Sequence, residues 1–350
     1  MYIIITILAF GILIATHELG HFVAAKLCGI KVNEFSIGMG PAIFKKQKGE
    51  TLYALRVLPI GGYCAMEGED EETEDPRSFS AQAPWKRFIV LVAGSAMNFL
   101  TGVIIVIFIF SGYSGFVSNE VVAFADGFEL EGEDGLMPGD KIIEINGSRI
   151  YYADDFSVYM SRANNENVDL TILRDGEKIY LEDFPLVLRE YEENGQVVTK
   201  YGISFGVIPG NFWTRLQYSL YTSLNFVRNV FLGVSDLIAG RAGIKDLSGP
   251  VGIVSIISDA AEQAPSTNLA ILNIAYLCAF IAVNLAVMNM LPIPALDGGR
   301  VFFLIISSLF MLITKKKIDP KYEGYVHTVG FMLLFALMAV VMFNDIRRLM

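Results

Sequence analysis

His17, Glu18 and His21 stand in the stretch ATHELGHFVAAK, residues 15–26, directly behind the uncharged run MYIIITILAFGILIAT. On a helix, residues four apart lie one above the other, so both imidazoles of an H-E-x-x-H sequence face one point with the glutamate beside them. Neutral imidazole nitrogens suit Zn2+, and a catalytic zinc keeps one position open for a water whose pKa falls to roughly 7. Glu18 is then the expected base. The bland alternative makes these chance polar residues satisfied by neighbours. Against it, the chain has only three histidines and two of them take this spacing, inside a segment apolar enough for lipid, where an unpaired polar side chain costs about 2 kcal/mol or more.

A catalytic zinc normally takes three protein ligands, so one more must come from a distant stretch. In NMLPIPALDGGR, residues 289–300, two prolines break a helix and Asp297 follows at membrane depth. Asp297 is the candidate, with a simple Asp-Gly turn at the membrane boundary as the competing reading. Parity favours the ligand: crossing three spans returns the end of the third to the face where the first ends. At 1.5 Å per residue His17 lies about 24 Å along the first helix, within a hydrocarbon core of about 30 Å. His327, Glu67 and Glu323 are weaker ligand candidates, and the site is assigned without them.

These residues need a membrane scaffold to hold them. Of 350 residues, 53% are hydrophobic and 18% charged, with a mean hydropathy of +0.48, far from an ordinary soluble domain. Apolar stretches of about 20 residues run from Tyr2 to Ala25, Phe88 to Phe110, Ala270 to Leu291 and Tyr325 to Phe343, which predicts about four transmembrane helices. A fifth run, Val301 to Thr314, is short for a crossing and suits a half-helix or buried segment better. The first span lacks a basic leader and a small-residue cleavage site, so it is expected to be retained. The net charge of −10 argues against nucleic-acid binding. Cys28, Cys64 and Cys278 form no C-x-x-C pair, which leaves a disulfide framework or a thiolate metal site unsupported.

The segment between the first two spans carries Lys26, Lys31, Lys45, Lys46, Lys48, Arg56, Arg77, Lys86 and Arg87. Such a loop is expected in the cytoplasm, with the N-terminus outside. Within it, ETLYALRVLPIGGYCAM reads as a hairpin or looped strand pair around Pro59 and Gly61-Gly62, and EGEDEETEDP as a solvated linker. Residues 117–208 lose the apolar runs and show strand-like alternation around an Asp-Gly turn, a soluble domain on the outer side. Residues 211–248 read as an interfacial amphipathic helix or as a helix packed on that domain.

HELGHF and NMLPIPALDGG, with FSIGMGPAIF, LPIGGYCAM, PWKRFIVLVAGSAMNF and SGPVGIVSI in order between them, resemble the bacterial site-2 protease family of the regulator-of-sigma-E protease type. The resemblance covers nearly the whole chain. It implies an intramembrane zinc metalloprotease with one Zn2+ held by His17, His21 and Asp297, Glu18 as base, and Asn289 touching the substrate. Read on its own, Asn289 could equally bond between helices. GLMPGDKIIEING, residues 135–147, is similar to the bacterial type of PDZ domain, whereas some relatives carry two in tandem. Ser95, where relatives often have proline, and the CAM triplet depart from the usual pattern.

The implied fold is a polytopic α-helical membrane protein with a membrane re-entrant β-hairpin and an inserted extracytoplasmic PDZ-like α+β domain. Its expected parts are an N-terminal membrane core, 1–116, holding the first span, a β loop over 33–68 and a second span over 86–112. A PDZ-like domain, 117–208, an amphipathic connecting region, 209–268, and a C-terminal core, 269–350, with its last span over 325–344, complete it. An exposed strand edge at Gly61, Gly62 and Tyr63 would take the substrate as an added strand. Expected partners are membrane lipid and single-span membrane proteins such as anti-sigma factors or signal-peptide remnants. The expected location is the bacterial inner membrane, with the catalytic centre towards the cytoplasm. Two rivals remain: a non-catalytic scaffold that binds partner termini through the PDZ-like domain, and a protease whose zinc site hangs in the cytoplasm as in prenyl-protein peptidases. A closed set of four ligands would favour the first; the apolar lead into His17 disfavours the second.

Overall fold

A computed structural model describes residues 2–69, 73–193, 195–316 and 320–349. The chain divides into two compact units, Met1–Ile109 with Thr222–Met350, and Phe110–Tyr221.

In the first unit, the apolar runs form α1 (Tyr2–Leu27), α2 (Pro84–Phe110), α6 (Thr267–Asn289), α7 (Asp297–Thr314) and α8 (Pro320–Leu349). Among the described residues, five helices are long and apolar enough to cross a membrane, one more than the sequence reading expects. The addition is α7: the short run from Val301 is extended backwards by Asp297-Gly-Gly-Arg to 18 residues. Its inner face, Val301 and Leu304, joins a buried cluster with Ala24 and Ala25 of α1 and Val90 and Leu91 of α2. In lipid, helices gain little from hiding apolar surface from one another, so association rests on close packing of small residues. Gly20 of α1 is such a contact, since a Cβ there would come within 2.9 Å of the Gly94 backbone in α2.

The segment expected to connect the two halves as one amphipathic piece holds two long helices, α4 (Phe212–Ile238) and α5 (Pro250–Glu262). The first turns of α4 stack Tyr218 on Phe116 and edge-on to Tyr152 at ring distances of 4.4 and 5.7 Å. Further along the helix Phe226 sits edge-on to Tyr276 and Phe280 of α6 at 5.2 and 5.3 Å, a contact that neither sequence-based alternative includes. SGPVGIVSI opens α5 with Pro250 in the first turn, where the missing N–H costs nothing. The amides of Gly249 and Gly252 donate to the Asp345 carboxylate of α8, at 3.3 and 2.8 Å. That carboxylate caps α5 from another helix.

Strands β1 (Val32–Lys48) and β2 (Thr51–Met66) pair antiparallel. Both bend so that four segments lie side by side. Glu34–Ile37 have two sets of partners, Ala65 to Gly62 on one side and Leu52 to Leu55 on the other, and residues 42–48 pair back onto 51–56. The stretch 62–66 is therefore an outer segment, and no other strand pairs with its free edge among the described residues. The bend near Pro59 lies against α1, where only a glycine at position 11 leaves room for the Pro59 carbonyl. At the other end, Lys31 bridges Glu67 and Asp75 at 3.0 and 3.4 Å, and Glu50 takes Lys26 and Arg77, each at 2.7 Å. The acidic linker beyond Glu69 falls partly outside the described residues.

The second unit is an antiparallel sheet in the order β10 (Ile203–Pro209), β3 (Gly115–Phe124), β4 (Lys141–Ile145), β6 (Val168–Arg174), β7 (Glu177–Phe184), with β5 (Ser148–Arg149) against β4. One helix, α3 (Ala153–Arg162), packs Phe156 and Met160 onto Ile142, Ile145, Leu170 and Ile172, and the start of α4 lies in the same unit. A separate hairpin, β8 (Arg189–Glu193) with β9 (Gln196–Lys200), follows β7. The Pro138-Gly139-Asp140 turn is locked from within. Asp140, fully buried, receives Arg174 through both carboxylate oxygens at 2.8 Å and the Met137 amide at 2.7 Å.

Candidate metal centre

α1 brings His17 and His21 onto its buried face, at 8% and 7% exposure, with their ring Nε2 atoms 3.1 Å apart. Pro292 and Pro294 stop α6 and turn the chain back, which makes Asp297 the first residue of α7. Its Oδ2 lies 3.1 Å from His17 Nε2 and 3.3 Å from His21 Nε2. A tetrahedral centre with bonds of about 2.0–2.1 Å has edges of roughly 3.3–3.4 Å. Three donor atoms therefore stand close to one face of such a tetrahedron. Oδ2 of Asp297 is buried and accepts no hydrogen bond among the described residues, although an orphaned buried carboxylate oxygen is costly. A divalent cation on these three atoms resolves that, and His17, His21 and Asp297 are the group able to hold one among the described residues.

Supporting groups fix the rings. His21 Nδ1 lies 2.8 Å from the Val90 carbonyl and donates to it, which leaves the Nε2 lone pair facing the cluster. His17 Nδ1 is 3.5 Å from the Asn98 carboxamide, itself anchored by Thr16 Oγ1 at 3.2 Å. Gly94 provides the space: a Cβ there would come within 2.7 Å of His21 Cε1 and 2.8 Å of His17 Cε1. Val90, Gly94 and Asn98 escape the sequence reading. Asn98 could have been found by the logic used for His17, since it is the one carboxamide in the apolar α2.

A cavity of about 240 Å³ opens on two of the donors, His17 and Asp297, and is lined besides by Ile14, Glu18, Asn98, Leu285, Asn289, Ala295 and Leu296. Glu18 thus shares one chamber with His17 and Asp297, and Asn289 reaches it from the last turn of α6. The outer segment of β2 flanks Glu18: a Cβ on Gly62 would sit 3.5 Å from Glu18 Cγ. Gly61 precedes it with φ of 91°, a backbone state that suits glycine. The Tyr63 hydroxyl accepts from Arg56 Nη2 at 2.6 Å, and the same guanidinium binds Glu34 at 2.6 Å and Ser36 at 2.7 Å. Tyr63 is thereby tied into the sheet rather than turned into the chamber.

Of the weaker ligand candidates, Glu67 pairs with Lys31 at the base of the hairpin, and the Glu323 side chain lies outside the described residues. His327 binds the Ala295 amide rather than joining the donor set. Cys28, Cys64 and Cys278 are free thiols.

Apolar helices that enclose two imidazoles, a carboxylate and a neighbouring glutamate around an open chamber define a membrane metallopeptidase. The sequence profile of Peptidase family M50 matches residues 5–337, and the chain belongs to that family. It is 38% identical to a protein named as a zinc metalloprotease in Clostridium perfringens, over 99% of this chain and 98% of the relative. A similarly named Fusobacterium nucleatum protein is 34% identical over 100% and 99% of the two chains. The regulator of sigma-W protease RasP of Bacillus subtilis is 28% identical over 99% of this chain and 98% of its own. That alignment spans 429 positions, more than the 350 residues here, so RasP carries sequence that this chain lacks.

Proposed function

We propose that this protein is a zinc endopeptidase that cuts single-span membrane proteins within the bilayer, with His17, His21 and Asp297 as ligands and Glu18 as base. One observation carries the reading: three donor atoms stand 3.1–3.3 Å apart, one of them a buried oxygen with no hydrogen-bond partner among the described residues, and two of their residues, His17 and Asp297, line a chamber shared with the Glu18 carboxylate. Three donors and an open chamber fit a catalytic centre better than a structural one, which closes with four. That weighs against the scaffold alternative.

When bound, zinc supplies a Lewis acid that acidifies a water and polarises the scissile carbonyl. The chain's own groups do the rest. Glu18 takes the proton of the attacking water and hands it to the departing amine, so peptide hydrolysis needs no covalent intermediate. A transmembrane helix shields its backbone in intrahelical bonds, so the substrate must first be held extended. The free edge at Gly61, Gly62 and Tyr63, beside Glu18, adds it as another strand through main-chain bonds that select little sequence. Asn289, which lines the same chamber as Glu18, steadies that strand.

The basic residues between α1 and α2 support a cytoplasmic loop with the N-terminus outside, and the bend at Pro59 dips into the bilayer along Gly11. α7 stays near the cytoplasmic face instead of crossing; its packing on the last turns of α1 and the first of α2 supports this. The unit Phe110–Tyr221 is a PDZ-like domain on the outer side of a bacterial inner membrane, where it turns away substrates with bulky outer portions. Anti-sigma factors already trimmed by another protease and signal-peptide remnants are the substrates that would pass.

Purified protein in liposomes with a single-span substrate tests the reading. Cleavage inside the spanning segment should stop when a chelator strips the metal and return with one equivalent of zinc; cleavage indifferent to metal removal would refute it. Gly94→Val is expected to push both imidazoles aside and weaken zinc binding by about 10–100-fold, the usual cost of disturbing what orients metal ligands. Metal content after dialysis against a zinc buffer measures that loss.

A further inference from the structure

The third histidine of the chain stands outside the donor set but touches the loop that delivers Asp297. His327 Nδ1 of α8 accepts the backbone N–H of Ala295 at 3.0 Å, two residues ahead of Asp297. Ala295 is held at φ of 75°, in the left-handed region that a residue with a Cβ rarely enters and keeps only when its surroundings impose it. Three contacts support that imposition. Gly330, one turn beyond His327, lets α8 close on the loop, since a Cβ there would lie 2.9 Å from the Pro294 carbonyl oxygen. Phe303 of α7 packs against the His327 ring at 5.7 Å between centroids. The next amide, Leu296, is already committed to the Ile293 carbonyl at 3.2 Å.

We infer that His327 is a positioning residue: its imidazole clamps Ala295 in the left-handed turn that aims the Asp297 carboxylate at the histidine pair. The role rests on the proposed metal centre. With Nδ1 accepting, the ring proton sits on Nε2, so the ring serves the loop as a fixed acceptor. Without that acceptor the Ala295 amide is left unpaired, and the chain is free to relax out of the strained turn. The carboxylate two residues on then loses its aim. α8, which contributes no donor atom among the described residues, thereby becomes part of the machinery that sets metal affinity.

Two measurements on the full-length protein in detergent test this. The first is backbone hydrogen exchange of residues 291–299 in metal-free protein, a readout that needs neither zinc nor activity. The second is zinc affinity. His327→Ala is expected to speed exchange across the loop and to weaken zinc binding by about tenfold or more. In His327→Asn the side-chain oxygen reaches the place of Nδ1, so both properties should stay within about threefold of the parent. In His327→Gln the polar end reaches the place of Nε2, so both should resemble the alanine variant. Adding Ala295→Gly to His327→Ala should recover part of the affinity, because glycine holds the left-handed turn unaided, whereas a mere packing role for the ring would show no recovery. Should His327→Ala fail to fold, the contrast between Asn and Gln decides alone. Equal exchange in parent and His327→Ala, or equal losses in the Asn and Gln variants, would overturn the inference. A parent protein that binds no zinc would instead sink the metal centre, while the exchange result still decides the clamp.

Discussion

Glu18→Gln is expected to lower the rate of substrate cleavage by about 10²–10⁴-fold, roughly 3–5 kcal/mol of barrier, while zinc content stays at one per chain. The substitution keeps size and hydrogen-bonding reach but removes the group that can take a proton. Glu18 is not among the three clustered donors, so the metal should remain. Because Glu18 lines the same chamber as His17 and Asp297, a proton taken from water there has a short path to the leaving nitrogen. Cleavage of a reconstituted single-span substrate, with zinc measured on the same sample, separates the outcomes. Lost zinc would move Glu18 into the coordination set; undiminished cleavage would remove it from the chemistry.

Asp297→Ala should have the larger effect on the metal itself, weakening zinc binding by more than about 100-fold, beyond what loss of a group that merely orients a ligand usually costs. Only two imidazoles would remain, 3.1 Å apart, with nothing to complete the face. The turn should survive, because its own bonds run through backbone: Leu296 to Ile293 at 3.2 Å and Gly299 to Leu296 at 3.0 Å. Asp297→Asn is the sharper comparison, since it keeps the shape and removes the charge. Equilibrium dialysis gives the affinities, and hydrogen exchange across α7 reports whether the fold is kept. Zinc binding unchanged in both variants would exclude Asp297 from the centre.

The parts of this site read most directly from sequence are those whose chemistry is local. His17 and His21 share a helix, and their spacing alone puts them on one face. Asp297 is legible at one remove, because the prolines before it and the Asp-Gly-Gly after it mark a turn at the end of an apolar run. The Gly61-Gly62 bend is visible as a break in a β-branched stretch. What stays hidden are the neighbours supplied by other helices. Val90 acts through a carbonyl that every residue owns, and Gly94 acts through the absence of a side chain. His327 lies more than 300 residues from His17 in sequence, and its partner is a backbone amide. The outermost position of the 62–66 segment follows from how β1 and β2 bend, which residue alternation cannot reveal.

By itself, the sequence determined the solvent this protein lives in, the pair of imidazoles with their glutamate, and the carboxylate able to complete them. Those depend on hydropathy over a window and on helical spacing, both properties of contiguous residues. Tertiary structure alone decided that the three donors close to about 3 Å, that α2 leaves a gap for the rings, and that α8 reaches back to the Asp297 turn. Distances between separate helices are set by which small side chains let them approach, and that choice is made by packing across the whole bundle.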